Sequence, residues 1–223
     1  MNFYIHKEVL ALGLKIKGVV IENIDNTGEE EAYLVWRRQE VADLLEKYRD
    51  FDAKSDEILE GFYHLDEKVN VPSRKNIPAS ENLIKLLVKH QDLYRINKAV
   101  DIYNIISMES KLALGAHDID LIDGDIHLTI TDGTEQFVPL GSQAKPVKAG
   151  EYAYIDDAND ILCWLEIRQC EKDKVTENTR NIFYIVQGNQ ETPEELLQIT
   201  AEKIIETTTR FCGGKGYLCG VTV

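Results

Sequence analysis

After Ser107 the hydrophobic pattern of this chain changes period, and that change restricts the possible folds more than any single motif does. Upstream, apolar residues recur at spacings of three and four. Ala32, Val35, Trp36, Val41, Leu44, Leu45 and Tyr48 share one helical face, so residues 29–48 predict a helix entered through a turn at Asn26 and Gly28. Residues 56–64 predict a second helix. A third opens at Ser80 as a side-chain cap and turns Leu83, Leu86 and Leu87 inward, and a fourth at residues 98–107 aligns Ala99, Ile102 and Ile106. Pro72 and Pro78 bracket a loop, residues 71–79, that holds Ser73, Arg74, Lys75 and Asn76.

Downstream the period falls to two. Ile126, Leu128 and Ile130 alternate, with Gly124, Gly133, Gly141 and Gly150 at strand-and-turn intervals. Ile161, Cys163, Leu165 and Ile167 predict one strand over 161–168, and the unbroken apolar run Ile182–Val186 predicts a central strand. Thr192 as cap, Pro193 at the first helical position and Glu195 three residues on predict a last helix, which Gly213 and Gly214 end. A final strand covers 217–223. At the other end, residues 10–24 predict a strand broken near Gly18. Helices flanking a mixed, glycine-punctuated sheet make the fold class α+β, and 223 residues suit a single domain.

Charge limits the partners. Lys and Arg number 25 against 39 Asp and Glu, a net −14, so bulk nucleic acid is repelled and any RNA contact requires a local patch of cations. The segment from Arg168 supplies one: Arg168, Lys172, Lys174 and Arg180 place four of the 25 basic residues within 13 positions, interleaved with Thr176, Thr179 and Asn181. Such donors suit a phosphate backbone, and they equally suit a solvated, turn-rich loop. No apolar run approaches the ~18 residues that span a bilayer, and the N-terminus carries no export pattern, so a cytoplasmic protein with no membrane and no DNA partner is expected. Cys163, Cys170, Cys212 and Cys219 are then expected as reduced thiols, spaced too widely for a zinc knuckle.

Several patterns resemble sites without meeting their chemical requirements. Gly213-Gly214-Lys215-Gly216 lacks the hydroxyl and the following helix of a phosphate loop. The acidic stretch around His117 (Asp118, Asp120, Asp123, Asp125) lacks the alternating oxygens and terminal glutamate of a calcium loop, so a turn entering a strand is the expectation. Neither a metal nor a cofactor is expected.

Five segments in order carry a family resemblance: Arg95–Asn104 (RINKAVDIYN), Asp118 with Ile122–Ile126, Gly133–Gly141 followed by Gly150-Glu151, Cys163–Cys170 (CWLEIRQC), and Lys174–Thr176 with Thr179. From about Ile77 to Gly188 the chain resembles the tRNA-binding B3/B4 domain of the phenylalanyl-tRNA synthetase beta subunit, in its free-standing form. The resemblance implies a B3/B4-like core at 77–223 with residues 1–76 as a strand and helical extension. It also implies an amino-acid pocket around Tyr103, Asn104, Gly141, Arg168 and Gln169, with an RNA face at Lys172, Lys174, Thr176 and Arg180. In the synthetase this domain hydrolyses tyrosine misattached to phenylalanine tRNA. A tRNA-associated protein is implied here, a free-standing deacylase of misacylated tRNA in its active form. The alternative is a catalytically inactive protein that binds an amino-acid-like small molecule. The chain departs from the synthetase at two pocket positions, with Gly115 where a histidine stands and Ile185 where a glutamate stands.

Overall fold

In the computed structural model, which describes residues 1–72 and 76–223, the strand Ile182–Gly188 is buried along all seven residues. It is therefore apolar without interruption from Ile182 to Val186, because neither of its faces meets water. In chain order the strands are β1 (Phe3–Ile5), β2 (Lys15–Glu22), β3 (Ala113–Asp118), β4 (Ile126–Ile130), β5 (Tyr152–Asp156), β6 (Ile161–Trp164), β7 (Arg168–Gln169), β8 (Ile182–Gly188), β9 (Lys215–Cys219) and β10 (Val221–Thr222). The helices are α1 (Lys7–Leu10), α2 (Glu31–Lys47), α3 (Glu57–Lys68), α4 (Ala79–His90), α5 (Lys98–Ser110) and α6 (Glu194–Cys212).

Two sheets form, not one. An antiparallel sheet runs β3-β8-β2-β9, and a mixed sheet runs β10-β1-β4-β5-β6-β7, with β1 parallel to both β4 and β10. Alternate residues of β8 face opposite layers. Ile182, Tyr184 and Val186 pack with Ala99, Ile102 and Ile106 of α5 and Leu197, Ala201 and Ile204 of α6. Phe183 and Ile185 pack with Phe3, Ile126, Leu128, Tyr152 and Tyr154 of the second sheet. The layers are thus helices, antiparallel sheet and mixed sheet, and each fully buried Phe, Leu or Ile contributes about 1.5–3 kcal/mol. A third apolar cluster joins α2, α4 and α5 through Val41, Leu44, Ile84, Leu87 and Ile105. The segment 1–76, expected as an extension, supplies β1 and β2 to the interiors of both sheets.

The structure revises several local expectations. The strand over 10–24 is not broken at Gly18: α1 precedes it and β2 runs through the glycine. A β-carbon there would lie 2.9 Å from the Phe183 ring and 3.1 Å from Cys219, so the glycine makes room for an aromatic ring. The stretch 161–168 is a hairpin, because Leu165 adopts φ 51° and turns the chain between β6 and β7. Ser80 lies inside α4 and donates to the Lys111 carbonyl at 3.0 Å, leaving Pro78 at the cap. Pro193 likewise occupies the cap of α6, while Thr192 accepts from the Asn189 amide at 3.1 Å. The final strand divides into β9 and β10, one in each sheet. Ser73, Arg74 and Lys75 of the expected 71–79 loop lie outside the described residues.

Filling the Phe183 slot should be costly. Gly18→Ala is expected to destabilise the protein by about 1–3 kcal/mol, read as a lower urea midpoint at unchanged slope.

Candidate functional site

α5 is positioned by its polar residues before any of them can face a ligand. Asn97 caps the helix by accepting from the Val100 amide at 3.0 Å, and it receives Asn26 Nδ2 at 2.9 Å. Asp101, 1% exposed, accepts from Arg37 Nε at 2.9 Å, the Tyr33 hydroxyl at 3.1 Å and the Ile96 amide at 3.0 Å. These bonds fix α5 against α2, so two polar residues of the RINKAVDIYN segment are structural. Tyr103 and Asn104, in the second half of the helix, are delivered to a cavity.

That cavity, about 520 Å³, lies where the β3 edge meets the β6–β7 hairpin, with α4 and α5 on one side. Tyr103, Asn104, Arg168 and Gln169, four of the residues for which the resemblance implies a pocket role, line it. Gly141 does not: its neighbour Leu140 lines the cavity, and the Gly141 amide donates to the Glu171 carboxylate at 3.0 Å. Gln169 bridges the walls, accepting from the Tyr103 hydroxyl at 3.3 Å and donating to the Ala116 carbonyl at 2.7 Å. The two departures from the synthetase meet here, because Gly115 and Ile185 are cross-strand partners on β3 and β8 and both line the wall.

Behind this wall lies an acid stack that the sequence reading missed. Tyr154 donates to Gln187 Oε1 at 2.7 Å, Gln187 donates to the Tyr152 hydroxyl at 3.2 Å, and Tyr152 donates to Glu166. Glu166 and Gln187 both line the cavity. Glu166 Oε1 and both oxygens of Asp66 on α3 are buried with no hydrogen-bond partner among the described residues. Burial pushes Glu166 up to about 7, and burial together with the Glu166 charge pushes Asp66 up to about 8. The available signal was an acid at 166 in an otherwise apolar run, since carboxylates are almost never fully buried without a partner.

None of the four expected RNA contacts lines the cavity; Lys172, Lys174, Thr176 and Arg180 share the loop that follows β7. Lys172 was expected to face phosphate, but its ammonium lies 2.6 Å from Asp123, 2.8 Å from Asp156 and 2.7 Å from Asp160. Burial works against that charge, and the three carboxylate hydrogen bonds outweigh it and raise the pKa. The same three aspartates have their oxygens close enough for a cation, and the lysine already occupies their centre. Lys174 pairs with Glu171 and Arg180 donates to the Glu177 and Thr179 carbonyls, each at 3.2 Å. Thr176 accepts from the Asn178 amide at 3.2 Å. Arg168, exposed on β7, is the cation at the cavity among the described residues.

The motif order and the cavity agree with a family match: the B3/4 domain covers residues 70–203. The chain belongs to the B3/4 domain family. This B3/4 domain is 26% identical over 144 residues to the phenylalanine–tRNA ligase beta subunit of Fusobacterium nucleatum, spanning 64% of this chain and 18% of that protein. It is 23% identical over 177 residues to the corresponding subunit of Mycoplasma pneumoniae, across 74% of this chain and 22% of that one. The chain therefore spans about a fifth of the length of these relatives. Its fold is similar to a solved N-terminal fragment of the phenylalanyl-tRNA synthetase beta subunit from Pyrococcus horikoshii, with a TM-score of 0.55 and 16% identity over 99% of this chain and 51% of that one. No helix among the described residues is long and apolar enough to cross a membrane.

The acid stack gives the B3/4 domain a pH signature. Asp66 and Glu166 keep their protons in the folded state, whereas an unfolded chain releases them near 3.8 and 4.5. The folded state therefore binds more protons in between, and stability falls as pH rises through that window toward about 8. Asp66→Asn, which cannot ionise, should flatten the fall and raise the melting temperature at the alkaline end, as thermal unfolding across pH will show.

Proposed function

We propose that this B3/4 domain is a tRNA-associated protein whose cavity receives the aminoacyl end of a misacylated tRNA and hydrolyses its ester. The observation that carries this reading is the convergence of Tyr103, Asn104, Arg168 and Gln169, drawn from two separate family motifs, on one cavity. The cavity's volume of about 520 Å³ is in the range of small-ligand sites. Arg168 at its rim, with Lys174 on the loop beyond β7, offers cations to the phosphates of an acceptor end. Side-chain amides of Asn104 and Gln187 offer donors for the oxyanion that develops when an ester carbonyl is attacked. The Gly115–Ile185 pair offers no hydrogen-bonding side chain, so the synthetase's way of holding a tyrosine does not transfer to this wall.

A second reading, an inactive protein that binds an amino-acid-like molecule, is favoured by the charge distribution. The net charge is −14, and Lys172 and Lys174 are already paired with carboxylates. The two readings separate in one comparison. The protein is incubated at low salt with a panel of aminoacylated tRNAs, following binding and ester loss, and screened by thermal shift against free amino acids. The deacylase reading expects at least one charged tRNA to be bound and hydrolysed above the buffer rate. It is abandoned if no tRNA binds and none is deacylated. Stabilisation by free amino acids in that case establishes the second reading. Within the first, Lys174→Ala should weaken tRNA binding regardless of sequence and lower the salt slope by about one.

A further inference from the structure

Two residues beyond Gly115, on the same face of β3, His117 is fully buried and belongs to a side-chain pair the proposed reaction has not yet used. Its Nδ1 lies 2.8 Å from Asp173 Oδ2, with the two side chains 0% and 1% exposed. Asp173 is itself held in place. The Cys170 thiol donates to its Oδ1 at 2.9 Å, and its carbonyl accepts the Asp118 amide at 2.8 Å. Burial and the Asp173 charge push the Cys170 thiol up to about 12, so the sulfur remains a proton donor and is not a nucleophile. A carboxylate fixed in this way accepts the Nδ1 proton and leaves a lone pair on Nε2. That nitrogen is buried and meets no hydrogen-bond partner among the described residues.

The unpaired nitrogen lies beneath a gap in the cavity wall. A β-carbon at Gly115 would stand 3.5 Å from His117 Nε2 and 3.4 Å from Gln169 Nε2. Gly115 and Gln169 both line the cavity, so the missing side chain leaves a notch with the imidazole below it and the Gln169 carboxamide beside it. Gln169 is held on the cavity side by the long 3.3 Å bond from Tyr103. Its Nε2 also donates to the Ala116 carbonyl at 2.7 Å, so the carboxamide stands over the notch as a cover that a rotation breaking this bond would lift.

We propose that His117, oriented by Asp173, is the general base of this cavity and reaches a water molecule through the notch at Gly115. For its substrate the proposal rests on the deacylase reading. His117 Nε2 takes a proton from the water as the water oxygen bonds to the ester carbonyl carbon, and the carbonyl π pair moves onto its oxygen. When that pair returns, the bond from carbon to the ribose oxygen breaks. The departing oxygen then takes the proton from Nε2, leaving a free amino acid and an uncharged tRNA. Asp173 is the positioning residue: its carboxylate keeps Nδ1 protonated, so Nε2 carries the lone pair, and it steadies the imidazolium between the two transfers.

The first test needs no substrate. Diethyl pyrocarbonate acylates an unprotonated, reachable imidazole nitrogen, and peptide mapping reads each histidine separately, with exposed His6, His64 and His90 as internal standards. His117 should be modified in the wild type, severalfold more slowly in Gly115→Ala and faster in Gln169→Ala. An added β-carbon at 115 would make only ordinary contacts at 3.4 and 3.5 Å, so Gly115→Ala should fold. The second test is single-turnover hydrolysis of whichever aminoacyl-tRNA the wild type deacylates. Gly115→Ala should lose on the order of 10²-fold in rate, with tRNA affinity little changed. His117 remaining unmodified in both the wild type and Gln169→Ala overturns the proposal, as does full-speed hydrolysis by Gly115→Ala. If His117 reacts as expected and no charged tRNA is hydrolysed, the cavity base stands and the deacylase reading falls.

Discussion

The inner wall of the cavity depends on where the segment from Cys170 to Thr176 runs, and one ammonium group sets its course. Lys172 is gripped by Asp123 from the turn before β4, Asp156 at the end of β5 and Asp160 before β6. Three carboxylates around one cation leave a net negative charge, and that arrangement is stable only because the lysine neutralises what would otherwise be mutual repulsion in a partly buried place. With Lys172 fixed, Asp173 comes against His117 and Thr179 donates to Asp118 at 2.6 Å. The β3 edge, which would otherwise present open backbone groups, is closed by this loop and by Gln169. In a chain this acidic, Lys172 and Lys174 are taken up by the chain's own carboxylates, while Arg168 stays exposed at the cavity.

How much of this could be read from the chain differs element by element. Strong periodicity identified α2, α5 and β4, an unbroken apolar run identified β8, and the five ordered segments found the family and named Tyr103, Asn104, Arg168 and Gln169 on the cavity wall. What failed has a common cause: tertiary contacts overrode local patterns. Gly18 reads as a break until Phe183 is seen beside it, and CWLEIR reads as one strand until Leu165 turns left-handed. Ser80 and Thr192 both carry the right hydroxyl for a cap, but Ser80 donates to the distant Lys111 carbonyl and Thr192 accepts from the Asn189 amide in the turn before α6. The loop cations were legible as a cluster but not as partners of aspartates up to 49 positions away. Glu166 stands as a lone acid in an apolar run, a signal the sequence reading passed over, whereas its neighbour Asp66 on α3 carries no such signal.

The cavity differs from the synthetase pattern in a coordinated way. Gly115 and Ile185 are cross-strand neighbours on β3 and β8, so the two positions where the resemblance implies a histidine and a glutamate form one continuous piece of wall. The polar chemistry is displaced around that piece: an imidazole two residues further along β3, and a carboxyl on the hairpin opposite.

The pairing of β1 with β10 has a consequence for how the mixed sheet is sealed. Phe3 lies opposite Val221 and Tyr4 opposite Thr222 in parallel register, so β10 takes the flank of β1 that would otherwise be an open edge. Segments from opposite ends of the sequence thus have to meet before that flank is closed, which makes the closure a slow, long-range step of folding.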